Sequence, residues 1–422
     1  MMDGTSRLLP LLDAVHDTAA EVRARFPDYF LRRPLRLSTD TLRRSGVVAA
    51  DPVLRLIGDT YGLTLVPADG ATLTAVDRLV EQRAPAPARI RPVDGVDDQD
   101  LAGWLIAVRR RQEQDRRRAE EDARRWAAAS LRRVAVRGGV VSYLAAGERE
   151  PGREPVVILN ALGMRLGPWH PLIATLARRH RVLAWEPRRT TTHEQYVLLD
   201  DHARDLEAVL KDEGATSCHV LAWCSGLKVA MQFHRHRPHG VRSLVLLNGS
   251  LKVLGRQEEP DTTYERNLEN LCRALVDRPS SASAVVRVLT GQTVADMDPT
   301  TELDPHRFAE HVLALPSRDL EHEIRRPFAS ESDLIVYAHQ LLDFWSVDVL
   351  GHASSVHAPV LCLTSEFDRI VSPERMESAA ARFPDARLTR IPGASHYVMY
   401  DRPEELSVVL EKFIDESSRP TI

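Results

Sequence analysis

The stretch CHVLAWCSGLKVAMQFHRH, residues 218–236, decides the fold. Its first six residues form a short apolar run of strand character, and a helical pattern opens at Leu227. A strand that turns straight into a helix forces the central residue of the turn into strained backbone angles. That geometry presents its side chain at the edge of the sheet. The residues two before and two after the centre must be small, because larger side chains there meet the adjoining strand and helix. With Ser225 at the centre the flanks would be Trp223 and Leu227, both too large. With Cys224 at the centre they are Ala222 and Gly226. The frame therefore makes Cys224 the candidate nucleophile, not the serine beside it. The plainer reading of the same residue is a small buried cysteine at a strand end.

Working outward, RVAVRGGVVSYLAAG carries two alternating runs around Gly138-Gly139, a hairpin signal. Apolar runs follow at VVILN (156–160), RVLAWE (181–186), SLVLLN (243–248), APVLCLTS (358–365) and ARLTRIP (386–392). Helical patterns separate most of them, which predicts crossover units and a mostly parallel sheet covered on both faces. The interval from Asn248 to Pro359 is too long for a loop. Its own stripes (Leu268/Leu271/Leu275, Phe308/Val312/Leu315, Leu334/Tyr337/Leu341/Leu342) predict an inserted helical cap. The expected plan is a helical region at 1–82, a Pro- and Gly-rich linker at 83–98 and a charged amphipathic helix at 99–131. The α/β core occupies 132–249 and 359–422, and the cap 250–358.

A thiol nucleophile needs a base, and the base needs an orienting group. Asp368 stands in the turn after the next-to-last strand, with Glu366 as the other candidate acid. His396 follows the last strand. His396 would take the thiol proton while Asp368 fixes its tautomer. The oxyanion of an acyl-transfer intermediate needs backbone N–H donors. Ser225, at the N-terminus of the helix after the turn, and Leu162, after VVILN, are the candidates.

In this order the residues resemble the α/β-hydrolase superfamily over about 133–418. The His-Gly usual after the third strand is here Asn160-Ala161, the first glycine of the elbow is Ala222 and the usual serine is Cys224. These departures speak against simple ester or lipid hydrolysis. With its long leader, large cap and Trp-Cys-Ser-Gly elbow, the chain is similar to aminoacyltransferases of nonribosomal peptide biosynthesis, of the syringomycin-pathway type. That resemblance implies movement of an aminoacyl unit between the phosphopantetheine thiols of two carrier proteins through an aminoacyl-S-cysteine intermediate. It implies no resident cofactor, since phosphopantetheine arrives on the carrier. Thioester chemistry agrees: attack of a thiolate on a thioester conserves its transfer potential, whereas a serine would drop it to an oxygen ester. A thioesterase or other cysteine hydrolase remains open at this point, as do a polyester synthase and a non-catalytic binding protein on the same fold.

Composition narrows the rest. The net charge is −4, too near neutral for a nucleic-acid or membrane-surface binder. Four cysteines in 422 residues make no disulfide scaffold, and none lies in a CxxC pair or metal-ligand spacing. No apolar run is long enough to span a bilayer, so a soluble cytoplasmic protein is expected. Residues 109–125 carry eight arginines against five acids, with Glu113–Arg117, Glu120–Arg124 and Glu121–Arg125 in the favourable i,i+4 order. Such pairs contribute roughly 0.2–0.5 kcal/mol each, and a solvated helix is the simple reading. Because carrier proteins are generally acidic, the arginines at 109–125, or Arg188 and Arg189 after the fourth strand of the core, are candidates to meet one. For an amino group on the acyl unit, Asp343 and Glu331 in the cap are candidate acceptors.

Overall fold

The computed structural model describes residues 35–38, 63–66, 131–256, 261–291, 318–365, 368–391 and 394–418. The chain divides into two units, the second being Arg118–Thr293 with Pro316–Ile422. Of the first, two short strands are described, β1 (Leu35–Ser38) and β2 (Leu63–Val66), paired in parallel with Leu35 opposite Leu63. Leucines recur two apart in both, at Leu35 and Leu37 and at Leu63 and Leu65, a spacing that suits a strand. This departs from the helical expectation for 1–82, whose other residues, like the arginine-rich run at 109–125, lie outside the described residues.

The second unit is built on an eight-stranded sheet in the order β10-β9-β8-β7-β5-β6-β4-β3. A hairpin of β3 (Leu131–Val136) and β4 (Gly139–Ala146) turns at Gly138, whose φ of +72° a side chain would strain. β4 then pairs antiparallel with β6 (Val182–Trp185). Every remaining pairing is parallel: β5 (Val156–Leu159), β6, β7 (Cys218–Trp223), β8 (Val241–Leu247), β9 (Val360–Ser365) and β10 (Ala386–Ile391). Each strand expected from the apolar runs is present.

The sheet is buried on both faces because its side chains alternate between two cores. Val157, Leu159, Val220 and Ala222 face one, packed under helices α2 (Leu199–Asp212) and α3 (Gly226–His236). Val156, Ile158, Leu221 and Trp223 face the other, under α1 (His170–Leu176) and the C-terminal Pro403–Ser417 helix. The inserted cap supplies α4 (Thr263–Asp277), α5 (Ala282–Gly291), α6 (Arg318–Arg325) and α7 (Glu331–Ser346). Leu268 and Leu275 of α4 and Leu334, Leu341 and Phe344 of α7 join the first core, so these two helices share its apolar interior. After β9 comes α8 (Pro373–Ala380).

Two lysines tie the cap to the sheet-covering helices. The buried Lys228 of α3 donates to the carbonyl oxygens of Lys252 (2.9 Å) and Val347, at the entry to and exit from the cap. Burial pulls its ammonium down to about 7. The buried Lys252 pairs with Asp261 (2.6 Å) and Glu269 (2.8 Å), and Asp261 also pairs with Arg375 of α8.

Burial of imidazoles gives the unit a defined acid lability. Burial holds His180, His219 and His234 down at about 4 and His202 at about 3. In the fold these rings stay neutral, whereas the unfolded chain protonates each below about pH 6.5. Their contribution to stability is therefore full above pH 6.5 and is lost as pH falls towards 4. The slope is up to about 1.4 kcal/mol per pH unit for each histidine. Melting temperatures measured from pH 7 to pH 5 should fall steeply, and His202→Gln should flatten that slope by about one proton. An unchanged slope in the variant would refute the assignment.

Candidate active site

Backbone strain singles out one residue at the end of β7. Cys224 has φ +50°, whereas Ser225 has an ordinary helical φ of −65°. The turn is held by the Cys224 N–H donating to the Leu247 carbonyl (3.1 Å) and by the Cys224 carbonyl accepting from the Ser250 N–H (3.1 Å). A Cβ on Gly226 would lie 2.3 Å from the Leu159 carbonyl oxygen, so only glycine lets α3 approach β5. Of the four cysteines, Cys224 alone is not buried. Burial pushes the Cys272 and Cys362 thiols up to about 12 and that of Cys218 higher still.

His396 follows β10 and is buried. Its Nδ1 donates to Asp368 Oδ2 at 2.8 Å, and the ring also hydrogen-bonds Cys224. Asp368 is fixed in turn, its Oδ1 accepting from the N–H groups of Ile370 (2.9 Å) and Val371 (3.0 Å). Burial alone would lower the His396 imidazolium, but the neighbouring Asp368 and Cys224, through charge and hydrogen bonds, outweigh it and push the ring up to about 10. The unfolded chain loses this proton near pH 6.5. The stabilisation from His396 is thus full below 6.5 and is lost as pH rises towards 10, opposite in sign to that of the four buried histidines. Glu366, the other candidate acid, lies outside the described residues.

Two positioning residues escape a reading of motifs. The Trp223 Nε1–H and the Asn248 Nδ2 amide both donate to the His396 carbonyl, each at 3.0 Å, and Asn248 also reaches Ser365 Oγ (2.8 Å). Trp223 adjoins Cys224 in sequence, so one indole couples the elbow to the histidine loop. Asn248 ends β8 at φ +43°, a conformation that asparagine tolerates better than most residues. The Asn160 side chain accepts from the Ala161 N–H and the Trp169 indole (each 2.9 Å) and donates to the carbonyls of Met164 (3.0 Å) and Arg165 (3.1 Å). It shapes the turn that carries Leu162. The Leu162 N–H points at the elbow, where Ser225 Oγ accepts it at 2.9 Å.

A cavity of about 70 Å³ opens on Cys224 and His396 between sheet and cap, with Tyr264, Glu265, Tyr337 and Trp345 among its walls. Asp343 and Glu331 do not line it. Asp343 accepts from the Leu199 N–H at the start of α2 (2.8 Å), and Glu331 is exposed in the first turn of α7. Among the described residues Glu265 is the carboxylate that lines the cavity, and a sequence signal for it existed. Thr262-x-x-Glu265 is a capping box, and Glu265 falls on the same helical stripe as Leu268, Cys272 and Leu275. Arg188 is also unsuited to meet a carrier, being nearly buried and bound two-pronged to Asp205 at 2.7 Å through both contacts. Arg189 is 41% exposed and pairs with Asp333. Among the described residues no cluster of side chains has the make-up of a metal site, and no helix is long and apolar enough to cross a membrane.

The model of the alpha/beta hydrolase fold family matches residues 154–403. The chain belongs to that family. Its match to a pimeloyl-[acyl-carrier protein] methyl ester esterase of Aeromonas hydrophila is 22% identical, covering 61% of this chain and 94% of the esterase. A match to the polyketide synthase ThaQ of Burkholderia thailandensis is 25% identical over 67% of this chain, but covers only 12% of that much longer protein. Among solved structures, haloalkane dehalogenase DbeA of Bradyrhizobium elkani superposes with a TM-score of 0.52 at 17% identity, covering 68% of this chain and 98% of that one, which speaks to the fold alone. In this α/β hydrolase the elbow, acid turn and histidine loop of the fold hold Cys224, Asp368 and His396.

Proposed function

We propose that this α/β hydrolase is an acyltransferase that passes an aminoacyl unit between the phosphopantetheine thiols of two carrier proteins by a ping-pong route through an acyl-S-Cys224 intermediate. The observation that carries the reading is a cysteine, not a serine, at the strained elbow, in hydrogen-bond contact with the His396–Asp368 pair. The Cys224 thiol gives its proton to His396 and its sulfur attacks the incoming thioester carbonyl. The tetrahedral oxyanion forms beside the N–H groups of Ser225 and of Leu162, the latter released as the Ser225 hydroxyl swings away. Collapse expels the donor carrier's thiolate, which takes the proton back from His396. The acceptor thiol then repeats the sequence in reverse and frees Cys224. The cap helices over the cavity limit water, which favours transfer over hydrolysis. The Aeromonas esterase is named for a substrate on an acyl-carrier protein, and ThaQ is a polyketide synthase; both support a carrier-bound substrate class.

Intact mass after incubation with an aminoacyl carrier thioester tests the reading. One acyl adduct should form on Cys224 and discharge onto a second carrier. Discharge mainly to water would identify a thioesterase instead, and absence of any adduct would overturn the acyl-enzyme.

Positioning by Trp223 yields a separate expectation. Trp223→Phe keeps a buried ring but removes the donor to the His396 carbonyl, leaving Asn248 to hold it alone. The acylation rate should fall about tenfold, as for loss of one buried hydrogen bond of roughly 1–2 kcal/mol, with the melting temperature little changed. An unaltered rate would show that the indole does not position the base.

A further inference from the structure

Among the described residues the cavity beside Cys224 is lined by one carboxylate, which the chemistry above does not use. Glu265 of α4 is 3% exposed. Its Oε2 accepts from the Thr262 N–H at 3.1 Å in the capping box, and its other oxygen takes no hydrogen bond among the described residues. The nearby cations are engaged elsewhere: Lys252 pairs with Asp261 and Glu269, and Arg375 pairs with Asp261. Glu265 itself forms no ion pair among the described residues. Its surroundings in the cavity are aromatic, with Tyr264, Tyr337 and Trp345.

A buried carboxylate without a cation is costly to keep, and here burial first, then the charge of Asp261, raises Glu265 to about 7 against the Thr262 hydrogen bond and the opposing charges of Arg375 and Lys252. What such a group lacks is a hydrogen-bond donor that brings a positive charge. Aromatic walls accept an ammonium well, while a second anion or a purely apolar group would leave the carboxylate unsatisfied. Because the carboxylate shares its cavity with Cys224, the part of a substrate that meets it is the acyl unit.

We infer that Glu265 is the specificity-determining residue of this site and selects acyl groups bearing a cationic amine. The inference rests on the reading of Cys224 as acyl carrier, and it identifies the group that recognises the amine.

The probes are N-acetylcysteamine thioesters of alanine, lactate and isobutyrate, which place ammonium, hydroxyl and methyl at one position of otherwise matched acyl groups. Binding is read on the full-length Cys224→Ala protein from the fluorescence of Trp223 and Trp345, and loading is read on the Cys224 protein by intact mass. The alanyl probe should bind and load at least about tenfold better than the isobutyryl one, as expected of a charge-assisted hydrogen bond. Glu265→Gln retains the capping box and removes only the charge, so it should reduce that ratio to about twofold. A ratio that persists in Glu265→Gln, or no preference before substitution, overturns the role of Glu265. A preference for lactyl equal to that for alanyl replaces the amine with any donor and likewise overturns it. If no probe loads Cys224 yet the binding preference stands and disappears in Glu265→Gln, the carrier reading fails and the amine site survives.

Discussion

Cys224→Ser should fold normally, accept an acyl group and then hold it, so that transfer to a second thiol falls by about a thousandfold or more. The reason lies in the leaving group. Cysteine exchanges one thioester for another of similar energy, and both half-reactions run near balance. Serine at the same φ of +50° occupies the same elbow beside His396. It traps the acyl group as an oxygen ester, from which passage back to a thiol is uphill. The expected result is an adduct that accumulates and resists neutral hydroxylamine, whereas the adduct on Cys224 is cleaved by it. Cys224→Ala should form neither. Transfer at the original rate by the serine variant, or the same adduct on the alanine variant, would remove Cys224 from the chemistry.

Gly226→Ala should be among the most destabilising single-methyl additions in the protein. The added carbon would sit 2.3 Å from the Leu159 carbonyl oxygen and 3.1 Å from that of Asn160. Both atoms are backbone on the central strand β5 or its end, so no flexible side chain can yield, and α3 must lift from the sheet. Such overpacking against fixed atoms costs about 3 kcal/mol, at the upper end of the usual range, equivalent to a fall of roughly 6–10 °C in melting temperature for a unit of this size. Gly167→Ala is the control, because nothing lies within 4 Å of its added carbon and its φ is not positive. Equal melting of the two variants would refute the close-approach argument.

Much of this arrangement was legible in the sequence, and for local reasons. The frame of small residues around Cys224 works because the elbow's constraints are steric and lie within five residues. The placement of Asp368 and His396 after the last two strands follows from the regular alternation of apolar runs. What escaped depends on contacts far apart in the chain. Trp223 looked merely bulky, yet its indole reaches the His396 carbonyl across 173 residues. Asp343 looked like a cap carboxylate free for substrate, but it caps α2 instead. Glu265 was hidden because its capping role is local and its cavity role is not. Leu162 was expected from the turn after the third strand, but its partner, the Ser225 hydroxyl, is visible only once β5 and the elbow are side by side. The two strands at 35–38 and 63–66 were too short to stand out against helical patterns nearby.

The lysines have a practical consequence for anyone labelling this protein. The chain has only four, and two of them, Lys228 and Lys252, are sealed inside the folded unit at the ends of the cap. Amine-directed reagents on the native protein should therefore mark Lys211 and Lys412 among the lysines, and leave the cap anchors silent until the fold opens. An acyl group that survives hydroxylamine as an amide should map to those same few amines, so stray acylation is easily separated from a thioester held at the elbow. Appearance of label on Lys228 then becomes a direct clock for release of the cap.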